Sequence, residues 1–169
     1  MSLNSGCRYI DPIYRQRLQH AGTQSNTWGG SDRLETGASG PRRRYTGVMR
    51  RQIDYRLARR AVLRDWMLGR LSRPDICDAH PELLRAARHL GEEVDRPCPI
   101  CTDVRMRLVS YVYGDSLKTA NGRCISNPAE LDRLEANCDE FVCYVVEVCT
   151  ECSWNHLSYS YLLGRAHAV

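Results

Sequence analysis

Two segments of this sequence have the residue types and spacing to do chemistry: Cys98-Pro99-Ile100-Cys101 and Cys149-Thr150-Glu151-Cys152. A Cys-x-x-Cys turn aims two thiolates at one point and leaves backbone N–H groups free to face the sulfurs. Two such knuckles supply the four ligands that tetrahedral Zn²⁺ takes, at about 2.3 Å per Zn–S bond. Pro99 suits the tight turn of the first. The spacer 102–148 is longer than the roughly 15–20 residues of a compact zinc ribbon. An excursion must therefore separate the knuckles, and the chain must return to bring them together. Cys98, Cys101, Cys149 and Cys152 are the expected ligands of one structural Zn²⁺. With sulfur at all four positions no coordination site is left for water, which argues against metal-dependent hydrolysis.

The competing readings are weaker. A thioredoxin-type Cys-x-x-Cys follows a strand and opens a helix in a βαβ setting, and neither pair has that context. His156, four residues past Cys152, could replace one sulfur but reads more simply as an imidazole on a strand. Cys143 and Cys77 read as core residues. Cys124 and Cys138 could oxidise or bind a second metal, though free cysteine usually behaves as a small hydrophobe. Cys124 as a nucleophile has no readable base partner. No Ser-His-Asp, P-loop, dinucleotide or paired-carboxylate motif is present, and His80, His89 and His156 lack catalytic partners. The expectation is a protein that is not an enzyme.

The elements that must position the knuckles fall in three parts. Residues 1–48 show almost no apolar periodicity and read as a disordered arm, or as an extension upstream of a start at Val48 or Met49. Residues 49–93 read as a basic helical segment of about three helices. Ile53, Leu57, Ala61 and Leu68 share one helical face, and Tyr55, Val62 and Trp66 a second. Arg56, Arg60 and Arg64 form a row beside them. Gly69 is a C′ residue, Ser72-Arg73-Pro74-Asp75 is a capping signal, and a further helix starts around 78–82 and ends before Gly91. Three close helices can resemble a DNA-reading helix-turn-helix, but the third carries Glu82 and only Arg85 and Arg88 as basic residues. Residues 94–169 read mainly as strands, at 104–113, 141–148 and 154–162. Between the first two, Asn127-Pro128-Ala129-Glu130 opens a short helix through about Glu135. Antiparallel pairing of 104–113 with 141–148 would set both knuckles at one end and the excursion 115–140 at the other. The expected fold is α+β: helices first, then a zinc-ribbon-like antiparallel sheet with a short helical insertion.

Composition narrows the class. The chain has 169 residues, nine of them cysteine, and a net charge of +4. No apolar run is long enough for a membrane helix, and no apolar leader segment opens the chain, so a membrane protein and a secreted precursor are set aside. Clustered cysteines then suit a reducing cytoplasm and metal binding better than a disulfide framework. Charge is divided unevenly. Eleven arginines face Asp54 and Asp65 within 42–73, while 74–169 holds nine basic and fifteen acidic residues. Such a basic segment can meet phosphates, an acidic partner or the acidic half of its own chain. Arg56, Arg59, Arg60 and Arg64 are the candidate partner-binding residues, with strand tyrosines 111, 113, 144, 159 and 161 as further contacts. All but one of the basic residues (Lys118) are arginine, a bias that reads as genome composition.

The runs Ile53-Asp54-Tyr55-Arg56-Leu57-Ala58-Arg59-Arg60, Cys77-Asp78-Ala79-His80-Pro81-Glu82, Tyr111-Val112-Tyr113-Gly114-Asp115, Cys143-Tyr144-Val145-Val146-Glu147-Val148-Cys149 and Trp154-Asn155-His156-Leu157 resemble an uncharacterised family of small actinobacterial, mycobacterial-type, zinc-ribbon-like proteins. The resemblance spans roughly 50–166 and implies a cytoplasmic setting and no assigned activity. In that family the first knuckle tends to continue with glycine, where this chain has Thr102. The functional expectation is a small structural-zinc accessory module whose partner is RNA polymerase, the ribosome or another protein, with no membrane and no small-molecule substrate. The alternative is a thiol and zinc redox sensor.

Overall fold

A computed structural model of the chain describes residues 51–165; the arm 1–48 and Cys7 lie outside them. The described part mixes helices with one antiparallel sheet. In chain order it runs β1 (Arg51–Asp54), α1 (Arg56–Met67), α2 (Arg73–Ile76), α3 (Pro81–Leu90), β2 (Glu92–Pro97) and β3 (Arg105–Tyr113). It continues through a 3₁₀ turn (Asp115–Ala120), β4 (Arg123–Ile125), α4 (Pro128–Asn137), β5 (Phe141–Val148) and β6 (Asn155–Leu163). The strand order is β1-β6-β5-β3-β2, and β4 pairs with the far end of β3 beyond β2.

Central β5 explains its own composition. It pairs with β3 on one edge and β6 on the other, and helical segments cover both its faces, so it reads as a nearly continuous apolar run. Period-2 alternation splits its side chains. Phe141, Cys143 and Val145 join Val112, Leu117, Ile125 and Leu131 in one core beneath the 3₁₀ turn and α4. Val146 and Val148 join Val109, Tyr111, Leu83 and Ala87 in another beneath α3. A third core, around Trp154, Met106 and Ile76, surrounds the cysteines and takes Val62, Leu63 and Trp66 from α1.

The local signals act as the residue chemistry requires. Gly69 takes φ +69° just past α1, a conformation that costs glycine little. Ser72 and Asp75 close a capping box at α2, and Asn127 Oδ1 accepts from the N–H of Ala129 at the start of α4. The pairing of β3 with β5 aligns Arg107 with Val148 and Tyr113 with Val142, which sets the segment 115–140 at the end remote from the knuckles.

One expectation is corrected. Ile53 is not on a helix: Arg51–Asp54 forms an edge strand whose register on β6 pairs Ile53 with Ser160. The helix begins only after Tyr55, whose side chain is buried and whose N–H donates to the carbonyl of Ser158. The third helix does not stand free as a reading head. Its Leu83, Ala86 and Ala87 are buried against the sheet, and Arg88 donates to the carbonyl of Thr150. Residues from the 49–93 segment and from 94–169 thus share the same cores.

Candidate metal centre

Both knuckles are hairpin turns at one end of the sheet, the first joining β2 to β3 and the second joining β5 to β6. They have the same local geometry. In each, the N–H of the first cysteine donates to the returning strand, from Cys98 to Val104 O and from Cys149 to Trp154 O. In each, the residue after the second cysteine donates to the first cysteine's carbonyl, from Thr102 at 3.1 Å and Ser153 at 3.2 Å. That residue is left-handed both times, Thr102 at φ 60° and Ser153 at φ 66°. A backbone N–H reaches the first sulfur of each turn: Ile100 N to Cys98 Sγ at 3.4 Å and Cys152 N to Cys149 Sγ at 3.5 Å.

The four sulfurs lie within 4.8 Å of one another. Across the two knuckles, Cys98 lies 3.5 Å from Cys152 and Cys101 lies 3.6 Å from Cys149. Four ligands about 2.3 Å from one tetrahedral cation would stand about 3.8 Å apart, so the arrangement fits a metal ion. Cys98, Cys149 and Cys152 are buried and Cys101 is partly open to solvent. Burial pushes the thiols of Cys98 and Cys149 up to about 11 and that of Cys152 to about 12, and the N–H contacts recover only part of that. At Cys101 burial acts in the same direction, but the N–H of Asp103 and the thiols of Cys149, Cys98 and Cys152 outweigh it, and its value is lowered. The thiols of Cys98, Cys149 and Cys152 therefore hold their protons at neutral pH unless a cation displaces them.

The left-handed backbone at Thr102 yields a stability prediction. A β-branched residue at positive φ is strained by roughly 1–2 kcal/mol, whereas glycine is not, although glycine adds unfolded-state entropy. Thr102→Gly is expected to stabilise the fold by about 0.5–1 kcal/mol, read as a raised urea midpoint with an unchanged slope. A lowered midpoint would contradict it.

Beside the centre lies a group that was not anticipated. Glu147 is fully buried two residues before Cys149. Its carboxylate accepts from Arg59 Nε at 2.5 Å, from Trp154 Nε1 at 3.0 Å and from the Arg96 guanidinium. The signal in the sequence was a lone acid within the apolar run of β5.

The candidate partner-binding arginines separate. Arg59 points inward to Glu147, and Arg56 pairs with Asp54 on β1 at 2.6 Å. Arg60 and Arg64 are exposed and make no ion pair among the described residues. Tyr111 is buried, and Tyr113, Tyr144, Tyr159 and Tyr161 pack against the cores, so these rings are not laid out as a stacking surface. His156 stays outside the sulfur cluster. Its ring stacks on Trp154, its Nδ1 contacts Leu157 O at 2.7 Å, and burial lowers its pKa. Cys77 packs beside the centre, while Cys124 and Cys143 lie in different cores, with Cys138 beside that of Cys143. The four knuckle cysteines form the sole ligand cluster among the described residues, and none of these residues forms a helix long and apolar enough to cross a membrane.

Comparison with known proteins places this geometry in context. A family model described as "Family of unknown function (DUF5318)" matches residues 47–169. The uncharacterized protein Mb0050 of Mycobacterium bovis is 44% identical over 114 residues, covering 68% of this chain and 82% of the relative. The uncharacterized protein Rv0049 of Mycobacterium tuberculosis is similar to the same extent. No solved structure matches the chain.

Proposed function

The chain belongs to the family of unknown function DUF5318, and within it we propose a non-enzymatic role: a cytoplasmic binding module held together by one structural Zn²⁺. The observation that carries this is the convergence of four cysteine sulfurs from two hairpin turns of matching geometry. Cys98, Cys101, Cys149 and Cys152 would hold the ion. When bound it supplies cross-linking of the β2–β3 and β5–β6 hairpins, in the manner of a zinc ribbon. A full set of sulfur ligands and partners already made at Glu147 leave no group poised for turnover among the described residues. The remaining chemistry is that of a surface, which fits an accessory factor on the transcription or translation machinery or on another protein assembly.

The test is the metal content of freshly purified full-length protein, together with the proteins that accompany a tagged copy. About one zinc per chain is expected, with RNA polymerase or ribosomal proteins in the eluate. Iron in place of zinc would overturn the metal assignment, because a sulfur tetrad accepts either metal. Absence of both assemblies would count against that choice of partner.

A second reading is favoured by Cys101, which is partly open to solvent. Peroxide would take two electrons from each cross-knuckle pair, Cys98 with Cys152 and Cys101 with Cys149, forming two disulfides and water as the metal leaves. Zinc retained after mild peroxide, with the knuckle thiols still titratable, would exclude a sensor.

A further inference from the structure

Helix α1 has no fully buried residue. Its inward side, Arg59, Val62, Leu63 and Trp66, meets Glu147 and the core around the cysteines. On the opposite side, Leu57, Ala61, Arg64 and Leu68 recur at i, i+4, i+7 and i+11, within an arc of about 60°. Leu57 is 65% exposed, Leu68 57% and the flanking Met67 76%. Arg60 flanks the same stripe, and neither it nor Arg64 has an ion-pair partner among the described residues. The helix thus carries two apolar faces, and the sheet covers one.

We propose that this outward stripe docks an acidic amphipathic α-helix of another protein. The proposal rests on the binding-module reading and gives that module its surface. The spacing is that of a helix–helix seam. Arg64 lies within the seam and Arg60 beside it, so the complementary helix must present carboxylates at those two places and small or branched apolar residues between them.

Other occupants fit less well. A second copy using the same face would bring Arg60 and Arg64 against their own counterparts. Residues 1–50 carry eight arginines against Asp11, Asp32 and Glu35, the wrong sign for this surface. Nucleic acid offers phosphates to the arginines but nothing to Leu57 and Leu68. A helix lying in a membrane keeps its cations on the water side, whereas here Arg64 is inside the apolar stripe and would be pressed into the acyl region.

The experiment places p-benzoylphenylalanine at Met67 of the full chain in its native cells, cross-links by light and sequences the attached peptide. The expected product is a segment of a second protein with apolar residues at three- and four-residue spacing and glutamate or aspartate beside them. A synthetic copy of that segment should bind the purified chain, and Leu57→Ser with Leu68→Ser should weaken it at least tenfold. Arg60→Glu with Arg64→Glu should weaken it similarly, and a peptide whose carboxylates are replaced by lysine should restore binding to that charge-reversed variant. Cross-links to residues 1–50, to another copy, to lipid or to nucleic acid, or the absence of any cross-link, would overturn the proposal. So would a partner peptide lacking acids or indifferent to the charge reversal. Zinc measured in the same preparations separates the two readings: one zinc per chain without the expected cross-link removes only the docking surface, and zinc-free folded protein removes the metal assignment.

Discussion

Cys149→Ser is expected to reduce bound zinc from about one per chain to almost none and to unfold the sheet with it. Cys149 is fully buried where β5 turns into β6, and its N–H and carbonyl are both engaged within the turn. Serine offers a hydroxyl that is a poor ligand for Zn²⁺, and leaves three thiols gathered around nothing that could hold them. Structural zinc contributes on the order of 10–16 kcal/mol in small metal-folded domains. That is as large as the whole stability of an ordinary domain, about 5–15 kcal/mol. Loss of the ion therefore removes the fold rather than weakening it. Cys98→Ser should behave the same way. Cys77→Ser, which alters packing beside the centre but no ligand, should keep its zinc and lose only about 1–2 kcal/mol. Cys7→Ser should change neither zinc nor stability. Metal content by mass spectrometry and far-ultraviolet circular dichroism on the same samples decide it. Folded, zinc-free wild-type protein would sink the whole metal assignment.

The parts of this fold that were legible in the sequence are those whose physics is local. Cys-x-x-Cys spacing, the Asn127-Pro128 cap, the Ser72–Asp75 box and the Gly69 stop each act within four residues, and each appears where the spacing puts it. The antiparallel pairing of the 104–113 and 141–148 strands was also readable, because only that arrangement brings two distant knuckles to one end. What was not legible depends on partners far along the chain. Arg51–Asp54 has no apolar run and becomes a strand only by pairing with β6, more than 100 residues later. Leu57, Ala61 and Leu68 share one of two apolar helical faces, and periodicity alone cannot say which of the two a sheet will cover. The inward turn of Arg59 is of the same kind: it is set by Glu147, on a strand the arginine row gives no hint of.

Glu147 is the second position where a single substitution should have a large effect. It lies fully buried on the central strand, and its carboxylate gathers three donors from α1, β2 and the β5–β6 turn. A carboxylate in such surroundings is tolerable only while its partners remain, and so are the partners. Arg59 is itself only 19% exposed, and Trp154 is fully buried. Glu147→Ala would leave a guanidinium and an indole N–H without acceptors and open a space in the sheet, which should cost about 3–5 kcal/mol. Glu147→Gln keeps the shape and one acceptor for Trp154 but loses the charge, so its cost should be smaller, about 2–3 kcal/mol. Pairing is separable from packing by a double-mutant cycle with Arg59→Met. The pair is expected to couple by more than about 1 kcal/mol, so that the double variant is much less damaged than the sum of the two single ones. Urea unfolding followed by tryptophan fluorescence reads each corner of the cycle, and zinc content shows whether the metal stays bound throughout. Additive losses would mean that Arg59 and Glu147 are neighbours without being partners, and that α1 is held to the sheet by Val62, Leu63 and Trp66 alone.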